Sequence, residues 1–279
     1  MGAIALLANP ESGSGEADEV EDLLRDHGTE VSRFGLDQAI DVLASDPERI
    51  VVAGGDGSVG CAAEVAARAR APLAVVPVGT ANDFARALEI PLDPGEAAEL
   101  AVRGTRTERL DLGAVNERPF VNAASAGLSP VAARKAHGLK RVLGPLAYTI
   151  GALRAGLTAE PVDCRVRCDG AELFAGRAWQ VTVACTGAFG GGAGVEADPH
   201  DGILDVVVIE STSRARLAVH AYGMRAGRVE RQAGVITGEG REIEIDTHRR
   251  TAFNVDGELV EADALRFTVA PRAFEVVVG

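Results

Sequence analysis

Gly54-Gly55-Asp56-Gly57-Ser58 follows directly on the apolar run Arg49-Ile50-Val51-Val52-Ala53. A short buried strand therefore runs into three glycines interrupted by one acid. Glycine lets a backbone approach a polyphosphate closely and take positive φ without strain. The Ala-rich stretch 58–71 reads as a helix, whose N-terminal amides point at the same place. Gly54, Gly55 and Gly57 would supply backbone and Ser58 a hydroxyl, and a phosphate ligand is the occupant such a loop suits. Asp56 is out of place if the loop only cradles phosphate, because a bare carboxylate repels it. An acid there points to a metal bridge or to proton chemistry. The plainer alternative is a strand-turn-helix corner whose glycines serve the turn alone.

Two more turns share this character. Pro77-Val78-Gly79-Thr80-Ala81-Asn82-Asp83-Phe84-Ala85-Arg86 follows the apolar strand 73–76, turns at a glycine and enters a helix. Asn9-Pro10-Glu11-Ser12-Gly13-Ser14-Gly15 follows the first strand, 3–8. In an open α/β sheet, ligands sit outside the carboxyl ends of the strands. Three Gly-, Ser-, Thr- or Asn-bearing turns at one sheet edge make a nucleotide site, in which Asn9 belongs to the first turn and Thr80 offers a hydroxyl or an amide to the phosphates.

Two acidic motifs lie further on. Asp198-Pro199-His200-Asp201-Gly202-Ile203-Leu204-Asp205 puts two acids three apart on a Gly-containing turn. That pattern suits a hard cation with oxygen ligands; an Asx-rich turn entering a strand is the simpler reading. Val255-Asp256-Gly257-Glu258 reads by itself as a hairpin turn.

The chain resembles the diacylglycerol kinase catalytic-domain family, including the soluble bacterial and archaeal-type lipid kinases of the NAD kinase/diacylglycerol kinase superfamily. The motifs that carry the likeness are NPESGSG at 9–15, GGDGS at 54–58, PVGTANDFAR at 77–86, FVNAASAGLS at 120–129, FGGG at 189–192, DGILDV at 201–206 and VDGE at 255–258. They span nearly the whole chain in the family's order. The resemblance implies a transferase of lipid metabolism and phospholipid biosynthesis that uses ATP and Mg2+. It implies an ATP-dependent kinase moving the γ-phosphoryl group to a hydroxyl of diacylglycerol or a related lipid. Ser32 sits where the family often has a nucleotide-contacting Thr, and Ser58 stands where Thr is usual. Carried over by position, Asp201 through its carboxylate and Asp198 and Ile203 through backbone carbonyls would bind the metal. Glu258 would be the general base, and Asp56 is its rival for that role, otherwise organising metal or phosphate through water. Relatives often carry Lys or Arg in the first loop, where this chain has Glu11 and Ser14. Arg86 is a candidate substitute cation, or else one half of a surface ion pair.

The elements that must position these residues fall into two halves. Residues 1–112 alternate strand and helix, with strands near 3–8, 29–34, 49–53 and 73–77 and helices near 16–27, 38–45, 58–71, 81–89 and 95–103. That rhythm predicts an α/β, Rossmann-like nucleotide-binding domain on a parallel sheet. Residues 113–279 show period-two strand patterns near 119–126, 162–169, 171–186, 203–209, 241–247, 251–256 and 264–278. They predict a β-rich antiparallel sandwich domain for the lipid substrate, with helices inserted near 130–157 and 212–226. The C-terminal segment is expected to pack back on the first domain.

Composition narrows the partners. The chain has 279 residues, a hydrophobic content of 47% and a net charge of −13, enough for a sizeable core and adverse to nucleic acid. No apolar run approaches the roughly 18 residues of a membrane span, and no signal peptide is expected. Four cysteines without a CxxC pair read as core thiols in a reducing cytosol. The chain's only lysines, Lys135 and Lys140, lie in 130–159 with Arg134, Arg141 and Arg154 and no acid. Basic and apolar residues in one helical segment suit a transient, peripheral contact with an anionic membrane. Alternatives in other classes are an NAD kinase-like enzyme and a nonenzymatic lipid- or nucleotide-binding protein; a homodimer is left open.

Overall fold

The computed structural model describes residues 3–9, 14–128, 160–189, 193–211, 220 and 229–279. Residues 10–13 of the first loop, the Gly190-Gly191-Gly192 run, the whole basic segment 130–159 and most of the helix expected at 212–226 lie outside this set. The chain divides into two compact units, Met1–Leu112 with Ala270–Gly279, and Gly113–Val269.

The first unit alternates β1 (Ile4–Ala8), α1 (Ser14–Asp26), β2 (Val31–Gly35), α2 (Ala39–Ala44), β3 (Arg49–Gly54), α3 (Asp56–Ala69), β4 (Leu73–Pro77), α4 (Asp83–Ala87) and α5 (Pro94–Arg103). β1 pairs in parallel with β2 and β3, and β3 with β4. Beyond β4, Val276 of the C-terminal segment pairs in parallel with Leu73. β1, β3 and β4 are almost fully buried along their length, as expected of parallel strands covered on both faces. Leu6, Val20, Leu24, Val51, Ala53, Val76, Ala98 and Val277 form one core cluster. α5 is the best-capped helix. Asp93 accepts from Gly95 N–H and Glu96 N–H, and Pro94 occupies its first turn, where its missing N–H costs nothing.

The chain leaves this unit along β5 (Arg106–Val115). There follow β6 (Arg118–Phe120), β7 (Ala123–Gly127), β8 (Val162–Cys168), β9 (Ala171–Ala184), β10 (Ala188–Phe189), β11 (Ala193–Gly194), β12 (Leu204–Glu210), β13 (Val235–Gly240), β14 (Glu242–Val255) and β15 (Glu258–Val278). The second unit's strands lie in the order β13-β12-β9-β7-β14-β15, with β8 paired to both β9 and β14, and these neighbours pair antiparallel. Its core holds Phe120, Val166, Val181, Val183, Val206, Ile243, Phe253 and Phe267, and Phe120 meets Phe267 edge-on at 6.0 Å. None of the four cysteines forms a disulfide. Burial pushes the Cys164 and Cys168 thiols up to about 11, so they are packing groups, not nucleophiles.

Candidate active site

In the first unit the glycine-rich loop is tighter than the sequence pattern predicts. Gly54 ends β3, Gly55 is the N-cap of α3, and Asp56 is already the first helical residue. Ser58 N–H and Val59 N–H both donate to the Gly55 carbonyl, so Gly57 and Ser58 sit in the helix's first turn rather than before it. An acid at the first turn of a helix is favoured by the partial positive charge there, a local reason for Asp56 that needs no ligand.

The second glycine loop lies directly against the first. Val78 N–H donates to the Gly54 carbonyl at 3.2 Å. A methyl group on Gly79 would fall 2.5 Å from the Gly55 Cα and 2.6 Å from Asn82 Oδ1, so only glycine allows this backbone-to-backbone approach. Asn82 takes φ +50 and donates from Nδ2 to the Gly79 carbonyl at 3.0 Å. Asp56 Oδ1 accepts from Phe84 N–H at 2.9 Å. The motifs at 54–58 and 77–86 are thus one structural piece, with the exposed Thr80 at its surface. Arg86 Nε donates to the Ala81 carbonyl, and no ion pair of Arg86 occurs among the described residues. Asn9 follows β1 half-buried, and Ser32 is exposed on β2 opposite Ala5.

In the second unit Val255-Asp256-Gly257-Glu258 is a two-residue hairpin with φ +45 at Asp256 and +91 at Gly257, the pattern of a type I′ turn. The Asp256 carboxylate accepts from the backbone N–H of Val121, Asn122 and Ala123 at 2.7, 3.0 and 3.1 Å. Glu258 opens β15, and Arg118 Nη2 on β6 donates to its Oε2. Arg118 and Asp256 escaped the sequence reading of the site. The aspartate was visible as a turn residue, but its three amide partners lie over 130 positions away, and Arg118 belongs to no motif.

The other acidic turn is separate. His200 N–H and Nδ1 both bond Asp198 Oδ1, an interaction that holds the Asp198 carboxyl below its usual range. Asp201 Oδ1 accepts from Ile203 N–H at 2.9 Å, and Gly202 takes φ +75. Asp205 lies across from Glu239 on β13. Burial, then Asp201, Glu239, Asp198 and Glu230, push its carboxyl up to about 6. Glu230 Oε2 is buried and has no hydrogen-bond partner among the described residues. No group of three or more His, Cys, Asp or Glu is arranged as a metal cage among the described residues. The carboxylates at this turn are hard oxygen donors, the kind of ligand that Mg2+ takes.

The raised Asp205 value has a consequence for stability. The folded state holds its proton more tightly than the unfolded chain, so this group lowers stability as pH rises from about 4 to about 6, and the loss is complete above that. Asp205→Asn removes it. Without added divalent cation, the variant should melt about 2–4 °C higher than the parent at pH 7.5, for the roughly 1 kcal/mol that survives solvent screening. The gap should narrow as pH falls through 6 and close at about pH 4. Equal melting curves at both pH values would show that the carboxyl is not strained.

Two family models match in succession. Residues 3–115 match the diacylglycerol kinase catalytic domain, and residues 122–278 match the YegS C-terminal NAD kinase beta sandwich-like domain. A Pseudomonas aeruginosa (strain UCBPP-PA14) protein named "Probable lipid kinase YegS-like" is 34% identical over 85% of this chain and 78% of its own length. A protein of Staphylococcus carnosus (strain TM300) named diacylglycerol kinase is 28% identical over 83% of this chain and 79% of its own. Among solved structures, a diacylglycerol kinase from Bacillus anthracis str. Sterne superposes with a TM-score of 0.77 at 22% identity, covering 99% of this chain and 97% of the other. That likeness speaks for the fold alone.

Proposed function

The chain belongs to the diacylglycerol kinase catalytic-domain family, and on that premise we infer an ATP-dependent lipid kinase that phosphorylates a hydroxyl of diacylglycerol or a close relative. The observation that carries the reading furthest is the fused loop pair. Gly55 and Gly79 pack Cα against Cα, and Asp56 is tied to the Phe84 amide. Two glycine turns at the ends of adjacent parallel strands offer backbone to a polyphosphate, as in a Rossmann-like nucleotide fold.

The roles follow from the chemistry. Gly54, Gly55, Gly57, Ser58 and Thr80 bind the ATP phosphates, with Asn9 and Ser32 as flanking nucleotide contacts. Asp201 through its carboxylate, and Asp198 and Ile203 through their carbonyls, hold Mg2+. When bound, the ion neutralises phosphate charge. A lipid hydroxyl oxygen forms a bond to the γ-phosphorus as the bond to the β–γ bridging oxygen breaks. That bond's electron pair leaves with ADP. The hydroxyl proton passes to Glu258, whose carboxylate is oriented by Arg118. Asp56, held by Phe84 N–H, acts as an organiser of metal or phosphate. Its substrate makes the enzyme a peripheral, transient visitor to a membrane surface. No helix is long and apolar enough to span one among the described residues.

Purified protein incubated with γ-labelled ATP and mixed vesicles containing diacylglycerol should yield labelled phosphatidic acid, dependent on Mg2+ or Mn2+. An arm with NAD in place of lipid should give no labelled product. Asp201→Ala should raise the Mg2+ concentration needed for half-maximal rate. Label in NAD would replace this reading by an NAD kinase, and unaltered metal dependence in Asp201→Ala would reduce 198–205 to a turn.

A further inference from the structure

The hydrogen bond joining the two phosphate loops is backed from the far end of the chain. Phe84, whose N–H holds Asp56 Oδ1, is 1% exposed and stacks on Phe274, with ring centroids 6.5 Å apart and planes inclined by 29°. Phe274 is itself 3% exposed. It lies between two fixed points of the C-terminal segment. On one side Arg272, at φ +48, donates its N–H to the buried Asp111 at 2.6 Å. On the other, Val276 pairs in parallel with Leu73 of β4.

α4 cannot hold this position unaided. It has five residues, its N-cap Asn82 is left-handed and makes no capping bond of its own, and the Phe84 amide is held from outside the helix by Asp56. A helix that short has no stability of its own, so its place is set by what it packs against. We propose that Phe274 is a positioning residue for Asp56. The C-terminal ring fixes Phe84, and the Phe84 amide in turn bears on where the Asp56 carboxylate sits. A smaller side chain at 274 lets α4 slip by a fraction of an ångström, and the carboxylate turns with it. Phe274 touches no substrate in this scheme; the C-terminal strand acts on catalysis only through the acid of the first glycine loop.

The proposal rests on Asp56 having a role in turnover, so the test separates the two. Phe274→Leu is made in the parent and in Asp56→Asn, with Phe84→Leu as a second variant that loosens the same stack from its other side while keeping the N–H. In the parent background each should lower kcat about tenfold, since misplacement by about 1 Å can cost a hundredfold, and should leave the KM for ATP within about threefold. In Asp56→Asn each should cost less than about twofold, because the group being aimed is already lost. Melting curves verify that the molecules assayed are folded. An equal penalty in both backgrounds, or a rise in the KM for ATP without loss of kcat, overturns the proposal and makes the stack plain core. Near-parental turnover in Asp56→Asn alone would instead overturn the role of Asp56, whatever the Phe variants do.

Discussion

Asp56→Asn and Glu258→Gln should each lower turnover about 100-fold or more, the scale of an acid–base or metal-organising group, with little change in melting temperature. Both replacements nearly preserve volume. Asparagine at 56 keeps an oxygen for the Phe84 amide, so the loops stay joined and the loss reports the missing charge. Glutamine at 258 keeps an acceptor for Arg118 but cannot take a proton. The two variants should therefore differ in metal dependence: Asp56→Asn should need more Mg2+, whereas Glu258→Gln should keep the parental Mg2+ requirement. Steady-state rates against vesicle-borne diacylglycerol, taken across Mg2+ concentrations, check the point. If both variants turn over at parental rates, neither residue takes part in the chemistry.

What was readable in the sequence follows from which forces are local. Buried parallel strands such as Ile50-Val51-Val52 are apolar throughout, and the glycine turns after them are set by steric needs within a few residues. Hence the alternation of the first unit and both of its loops were visible. The start of α3 was misjudged by two positions because Gly-Asp-Gly looks like loop, although Gly55 as N-cap and Asp56 in the first turn suit a helix terminus. β13 is hard to see in the sequence because Gly238 and Gly240 dilute its pattern; a methyl group at Gly238 would meet the end of the Leu173 side chain at 2.7 Å. β5 begins with the polar run Arg-Thr-Glu-Arg, which carries no apolar strand pattern. Arg118 and Phe274 carry no local signature at all. Each acquires its meaning from a partner over a hundred positions distant, Glu258 and Phe84 respectively.

Asp256 shows how a turn residue and a site residue become the same thing. Read locally, Asp-Gly is a type I′ hairpin, and the backbone bears that out at φ +45 and +91. A hairpin needs only a residue tolerant of positive φ, which asparagine satisfies as well as aspartate. The carboxylate does more, since three consecutive amides of 121–123 converge on its two oxygens, and Asp256 N–H returns to the Ala123 carbonyl at 3.1 Å. Hydrogen bonds to a charged acceptor are worth about 1.5–3 kcal/mol each and are not additive. Asp256→Ala removes all three, leaves buried donors unmatched and puts an alanine at positive φ. The expected loss is about 3 kcal/mol, a fall in melting midpoint of roughly 6–12 °C. Asp256→Asn keeps the turn and one oxygen acceptor, so its loss should be intermediate. Turnover per folded molecule should fall in the same order, because Glu258 stands two residues beyond the anchor and its pairing with Arg118 depends on where the hairpin sits. Thermal melts and active-site-normalised rates measure the two effects separately. Asp256→Ala melting with the parent would mean that the three amides find other partners. Asp256→Asn matching the parent in both measurements would mean that the turn alone, and not its charge, was what this position required.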